Sequence, residues 1–253
     1  MSVRIERTGP VTTILLHRPG AKNAVDRDTA HALSRAIDDF EADDGAAVAV
    51  LHGEGGTFCA GADLKAVASG KLNDVDPQGP GPLGPTRRFI KKPVIAAVEG
   101  YAVAGGLELA LMADMRIVAE DATFGVFCRR WGVPLIDGGT VRLARVVGQG
   151  RALDMIVTGR PVGAAEALAW GLANRVVPKG ETRAAAEALA LEIARFPQAC
   201  MLADRASAIH QWDLTLEDAV RAEATGAMHV LERESLPGAE RFASGAGRHG
   251  HFD

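Results

Sequence analysis

Glu108 is the one charged side chain between Gly100 and Ala113, in the stretch GYAVAGGLELALMA, and Gly105 and Gly106 stand just ahead of it. A carboxylate among small and apolar residues suits general acid–base chemistry, because an apolar setting moves its proton affinity toward the working pH. A second glycine-bearing stretch, GTFCAGADLKAV over 56–67, precedes it by some forty residues. Both stretches lie where an apolar, strand-like run hands over to a helix-like one. The first N–H groups of a helix have no partner inside it, and the helix dipole favours negative charge there. Two such turns brought together aim two N–H donors at one oxygen, an arrangement that stabilises an oxyanion formed during a reaction. Taken alone, Glu108 also reads as an acid satisfied by a helix dipole; the pairing of the two stretches favours chemistry.

The elements that must position these turns follow from hydrophobic pattern. VTTILLH (11–17), AAVAVLHG (46–53), KPVIAAVEG (92–100) and MRIVAE (115–120) read as strands. Residues 28–44 read as a helix with Ala30, Leu33, Ile37 and Phe40 on one face and acids on the other. This alternation is that of an α/β protein. Residues 69–86 hold four prolines and four glycines in eighteen positions, which predicts an irregular, mobile loop. From about 140 the pattern is helical: 140–148, 151–159, 163–171, 181–196 and 214–235. Gly138, Gly139 and Thr140 read as a turn and the cap of the helix that follows.

Composition narrows the function class. With 253 residues, 47% hydrophobic and 24% charged, the chain is long enough and apolar enough for a large core. A net charge of −4 without a Lys/Arg cluster argues against nucleic acid as a partner. Cys59, Cys128 and Cys200 lack paired spacing, so no disulfide scaffold and no metal site are expected, and the location is read as cytoplasmic. There is no signal-peptide pattern at the N-terminus and no apolar run of membrane-spanning length, so no membrane association is expected.

FCAGADL and GYAVAGGLELALMAD, followed by ATFGV, GGTVRL and TGRPVGAAEALAWGLANRVVP, resemble the enoyl-CoA hydratase/isomerase (crotonase) family from about residue 5 to at least residue 200. The resemblance implies a crotonase-like α/β fold: a right-handed spiral of β-β-α units over 1–190, then a C-terminal helical region, 191–253, that packs between subunits in trimers or dimers of trimers. The stripe Leu216, Val220, Met228 and Leu231 fits such a contact, or an intrachain one. The tail SGAGRHGHFD is where similar proteins sometimes close over coenzyme A.

By the same resemblance, the N–H groups of Ala62 and Gly105 bind the thioester oxygen of an acyl-CoA, and Glu108 is the family's first catalytic glutamate. Ala60, Asp63, Leu64 and Lys65 fall where relatives hold the CoA end, with Lys22 and Asn23 as weaker candidates; for Asp63 a helix-capping role is the simpler reading. No cofactor is implied beyond the CoA of the substrate. Hydratases of the family usually carry a second glutamate a few residues after the FG motif, and that position here is Cys128. Its thiol is a weak hydrogen-bonding group and a poor replacement. The nearest acid is Asp137. Relatives that isomerise double bonds or cleave C–X bonds use an aspartate nearby, at the position of Ile136 here. Hydration of a 2-enoyl-CoA is the leading reading; double-bond isomerisation or other enolate chemistry, and acyl-CoA binding with attenuated catalysis, are the alternatives.

Overall fold

The structure, a computed structural model, describes residues 1–247; most of the tail discussed above, 248–253, lies outside the described residues. The chain divides into two compact units, Met1–Ile193 and the residues from Ala194 onward.

In the first unit β1 (Val3–Thr8) and β2 (Val11–Leu16) form an antiparallel hairpin. α1 (Arg27–Ala42) leads to β3 (Val48–Gly53), parallel to β2, and β4 (Val94–Val98) adds in parallel to β3. Every residue of β2 and β4 is buried, as expected of strands covered on both faces. Asp26 caps α1 by accepting from the Thr29 N–H at 2.9 Å, and Ala30, Leu33, Ile37 and Phe40 are buried as their spacing requires.

The strand–helix alternation becomes two sheets because the chain steps between them. After β4 it enters β5 (Tyr101–Val103), runs through α3 (Gly105–Met112), returns to the first sheet as β6 (Met115–Ala119), and steps out again as β7 (Thr123–Gly125). α4 (Gly139–Val147) and α5 (Gln149–Thr158) follow, then β8 (Val162–Gly163), α6 (Ala164–Trp170), β9 (Arg175–Val177) and α7 (Thr182–Ala194). The large sheet has the order β1-β2-β3-β4-β6-β9 and the small one β5-β7-β8. Cys59, bridged in parallel to Ala102, extends the same step outward after β3. Repetition of strand, strand, helix is the spiral that the motifs imply.

α3 is buried along nearly its whole length, from Gly105 to Leu111. Its C-terminal end is held by Arg116, which is 4% exposed and donates to the carbonyls of Ala110, Ala113 and Leu172. Burial pulls this guanidinium down to about 10, against the neighbouring charge of Asp114, yet it stays protonated at neutral pH. Arg116→Met would strand these carbonyls; an expected loss of about 3 kcal/mol of unfolding free energy is measurable by denaturant titration.

In the second unit α8 (Gln198–His210), α9 (Leu216–Val230) and α10 (Leu236–Ala243) follow one another, with a π-helical turn at Leu231–Ser235 between the last two. Leu216, Val220, Met228 and Leu231 are all exposed. Among the described residues no helix is long and apolar enough to cross a membrane.

Three expectations need correction. The 69–86 segment is irregular at its start, but Asn73 and residues 81–86 are buried and Pro85–Arg87 forms a 3-10 turn, so its second half is a packed wall rather than a mobile loop. The region beyond 140 is not wholly helical, since β8 and β9 complete the two sheets. Thr140 does not cap α4: the cap is Gly138 (φ +90°), without a side-chain hydrogen bond.

Candidate active site

Cys59 joins the two glycine-bearing stretches. Its N–H donates to the Tyr101 carbonyl at 2.9 Å and its carbonyl accepts from Val103 at 3.1 Å. Beyond these bonds the stretches approach closely enough that a Cβ on Gly61 (φ +94°) would lie 2.8 Å from the Gly105 nitrogen. Ala104, just before α3, holds φ 54° and ψ −126°, a conformation that side-chain-bearing residues rarely adopt. Its N–H donates to Gly125 at 2.8 Å, which fixes the twist and turns the helix start toward Gly61. No acceptor among the described residues engages the N–H of Ala62 or of Gly105. Both residues border one cavity of about 260 Å³.

Glu108 lies one turn into α3, 2% exposed, and borders the same cavity. One oxygen, Oε1, accepts from the Asp137 N–H at 2.9 Å and from the Gly139 N–H, the first of α4, at 2.8 Å. Gly139 must be glycine here, because a Cβ would lie 2.7 Å from the Glu108 Cγ. Burial is the largest influence on the carboxyl and the charge of Asp137 adds to it. The two N–H donors and Arg142 oppose them without prevailing, and the pKa is raised to about 7.

Asp137 also faces the cavity and is 1% exposed. Its Oδ1 accepts from the Leu83 N–H at 3.0 Å and from the Thr86 hydroxyl. Burial raises it above the ordinary aspartate value, while Thr86, Leu83, Arg87 and Arg142 hold it down. Cys128 lies in the wall, with its thiol pushed up by burial and by Glu108; Cys59 is pushed up to about 12. Neither thiol is ionised at neutral pH, and neither is poised as a nucleophile.

The remaining wall is apolar: Val67, Leu72, Pro82, Leu83, Val133 and Ile136 are among its residues. Asn73, the other polar side chain in it, donates to the carbonyls of Val25 and Pro82 at 3.1 and 2.7 Å.

The enoyl-CoA hydratase/isomerase family model matches residues 6–244. The chain belongs to this family. It is 38% identical over 250 residues to a carnitinyl-CoA dehydratase of Salmonella arizonae, covering 96% of this chain and 95% of the relative. A carnitinyl-CoA dehydratase of Proteus mirabilis is 36% identical, with the same coverage. Crystal structures of enoyl-CoA hydratases from Mycobacterium marinum and Mycobacterium tuberculosis superpose with TM-scores of 0.91, at 35% identity and 96% coverage of each chain. The crotonase fold is thereby shown for this chain, as is its place among acyl-CoA enzymes.

Within that family frame the expected site residues separate. Ala62, Gly105, Glu108, Asp137, Ala60 and Leu64 all border the cavity. Asp63 does not; its Oδ1 caps α2 (Leu64–Ala68) by accepting from Lys65 and Ala66, and its Oδ2 pairs with Arg18 at 2.9 Å. Lys65 is exposed outside the wall, and Lys22 stands 5.6 Å over the Tyr101 ring. Asn23 is a buried bracket whose amide donates to Glu54 and Thr57. Of the consecutive residues Arg129, Arg130 and Trp131, only Trp131 borders the cavity; Arg129 bonds the Ile156 carbonyl and Arg130 stacks on Phe127 at 4.1 Å. Leu83, Thr86 and Asn73 were missed by sequence reasoning. They sit in the Gly/Pro-rich segment, where nothing local marks a residue for burial.

Proposed function

We propose that the protein hydrates 2-enoyl-CoA thioesters to 3-hydroxyacyl-CoA, and runs the reverse dehydration. The observation that carries this reading is the convergence on one apolar cavity of two unpartnered N–H groups, from Ala62 and Gly105, and one buried carboxyl, Glu108. In the proposed reaction the thioester oxygen lies between the two N–H groups. Water adds its oxygen to the β-carbon while ionised Glu108 takes a proton from it; the displaced π electrons become an enolate held at the thioester oxygen. Glu108 then returns the proton to the α-carbon, the carbonyl reforms, and the carboxylate is regenerated. Each N–H of such a hole contributes roughly 3 kcal/mol to transition-state stabilisation. The dehydratase and hydratase names of the relatives support a hydration–dehydration couple.

The backbone of 60–65 is proposed to hold the CoA arm, with no further cofactor. The exposed apolar residues of α9 are proposed to pack against other copies of the chain in a trimer or dimer of trimers. Isomerisation is the second reading. It needs only one carboxylate that removes a proton and returns it elsewhere, and Cys128 in the cavity wall favours it.

The test is spectrophotometric. Loss of the conjugated-enoyl absorbance of crotonyl-CoA marks hydration, and its appearance from a 3-enoyl-CoA marks isomerisation. Silence on both, with tight ester binding, marks a binder. Because the base is the ionised form of Glu108, hydration is expected to rise with pH to a plateau, with kcat/KM half-maximal near pH 7. The dehydration direction starts with removal of the α-proton by the same ionised Glu108, which then gives that proton to the leaving hydroxyl, so its kcat/KM is expected to rise with pH in the same way. A flat profile from pH 5 to 9 would remove Glu108 from the proton transfer.

A further inference from the structure

Glu108 and Asp137 are two buried carboxyls that share one connection, the Asp137 N–H on the Glu108 Oε1. Each carries two donors on one oxygen: Glu108 Oε1 accepts two N–H groups, and Asp137 Oδ1 accepts the Leu83 N–H and the Thr86 hydroxyl. Two neighbouring buried carboxyls do not readily ionise together, so the pair has to settle which member keeps a proton.

We propose that Thr86 settles it: its hydroxyl, with the Leu83 N–H, holds Asp137 as the anion and leaves Glu108 as the member that gains and loses the proton. Thr86 is then a positioning residue acting through Asp137, in a segment that also lines the cavity. The inference rests on the reading of Glu108 as the proton-transfer group and extends it to a residue outside the cavity wall.

The surroundings bear on the balance from every side. α4 contributes Arg142, which favours the charged form of both acids and donates to the Asp137 carbonyl at 3.1 Å. The 3-10 turn at Pro85–Arg87 contributes Arg87, whose charge favours ionised Asp137 and whose Nε is committed to the Ile136 carbonyl at 3.0 Å. Cys128 and Arg129 belong to the 3-10 helix Phe127–Trp131, and Cys59 faces Asp137 from the bridge to β5; both thiols are neutral. Without the Thr86 hydroxyl Asp137 keeps one donor against two on Glu108, and the order of ionisation tips toward a protonated Asp137. Gly81 (φ +120°) guards the contact, since a Cβ there would lie 2.2 Å from the Thr86 Oγ1 and 2.9 Å from the Asp137 Oδ1.

The experiment is a pH titration of the full-length protein labelled with ¹³C at its Glu and Asp carboxyl carbons, followed by NMR, with the Glu108 signal assigned by its absence in Glu108→Gln. Thr86→Val keeps the volume and removes the donor; the Glu108 midpoint is expected to fall by about one pH unit as the like charge beside it is lost. Thr86→Ser restores the donor and the original midpoint. Asp137→Asn, the alternative variant if Thr86→Val does not fold, is expected to move the midpoint in the same direction. An unmoved midpoint in Thr86→Val, or an equal fall in Thr86→Ser, overturns the inference; so does an unmoved midpoint in Asp137→Asn. The titration needs no turnover. A Glu108→Gln variant that still turns over crotonyl-CoA defeats the reading of Glu108 alone, whereas a dead Glu108→Gln with an unmoved Thr86→Val midpoint defeats only the role of Thr86.

Discussion

Glu108→Gln is expected to lower kcat/KM on crotonyl-CoA by roughly 10² to 10⁴-fold, the range over which a positioned acid–base group contributes. The substitution is nearly isosteric, and the amide oxygen can still accept from Asp137 and Gly139, so the loops around the site have no reason to move. What disappears is the group able to take a proton from water and return it. The variant should also be more stable than wild type in mild alkali. A carboxyl held at about 7 in the folded protein, against 4.5 in an unfolded chain, adds stability that is present below about 4.5 and lost as pH rises through 7. At pH 8 the glutamine form escapes that loss, which amounts to up to about 3 kcal/mol. Melting temperatures of both proteins at pH 5 and pH 8, with kinetics on the same samples, check the pair of effects. An inactive variant that also melts earlier at pH 8 would mean that Glu108 supports the fold rather than the reaction.

Gly106→Ala should damage the protein through packing instead. A Cβ at Gly106 would lie 1.9 Å from the Cys59 carbonyl oxygen and 2.6 Å from its carbon, and both are backbone atoms in a bonded bridge. The methyl can be admitted only if α3 and the 59–62 backbone separate, and these carry Gly105 and Ala62. A loss of about 3 kcal/mol is expected from overpacking of this kind, with turnover lost beyond what instability explains. Gly150→Ala is the control: Gly150 lies in α5 with nothing within 4 Å of its added Cβ, so a small gain in stability is expected there. Denaturant titrations of both variants give the comparison. Equal stability of the two would show that the closeness of α3 to Cys59 is not a constraint.

The parts of this site that were legible in the sequence are those in which residue type is dictated by backbone. Gly61 is a glycine because its backbone nearly touches that of Gly105, and Gly105 because a Cβ there would press on Leu83 at 2.7 Å, and that demand survives as a motif. The α1 stripe was legible because one helix face is buried along its whole length. α8 was not, since none of its residues is buried and no apolar stripe marks it. The balance at Glu108 was closed to sequence reasoning for a different reason: burial acts against the N–H groups of another loop, 29 and 31 residues away in sequence. Asn73, Leu83 and Thr86 make their decisive contacts with Val25 and Asp137, so nothing in their own neighbourhood announces a role.

The donors that hold Glu108 in place are main-chain groups, at Asp137 and Gly139. Ordinary side-chain drift at position 137 leaves its donor standing, and only proline would delete it. Changes in loop length have no such tolerance, because dropping a single residue between Pro134 and Gly139 shifts both donors out of register at once. The Glu108 anchor is therefore buffered against substitution at position 137, fixed at Gly139 by the room that Glu108 needs, and brittle toward insertion and deletion, so lineages that keep this chemistry should vary in letter at 137 long before they vary in length.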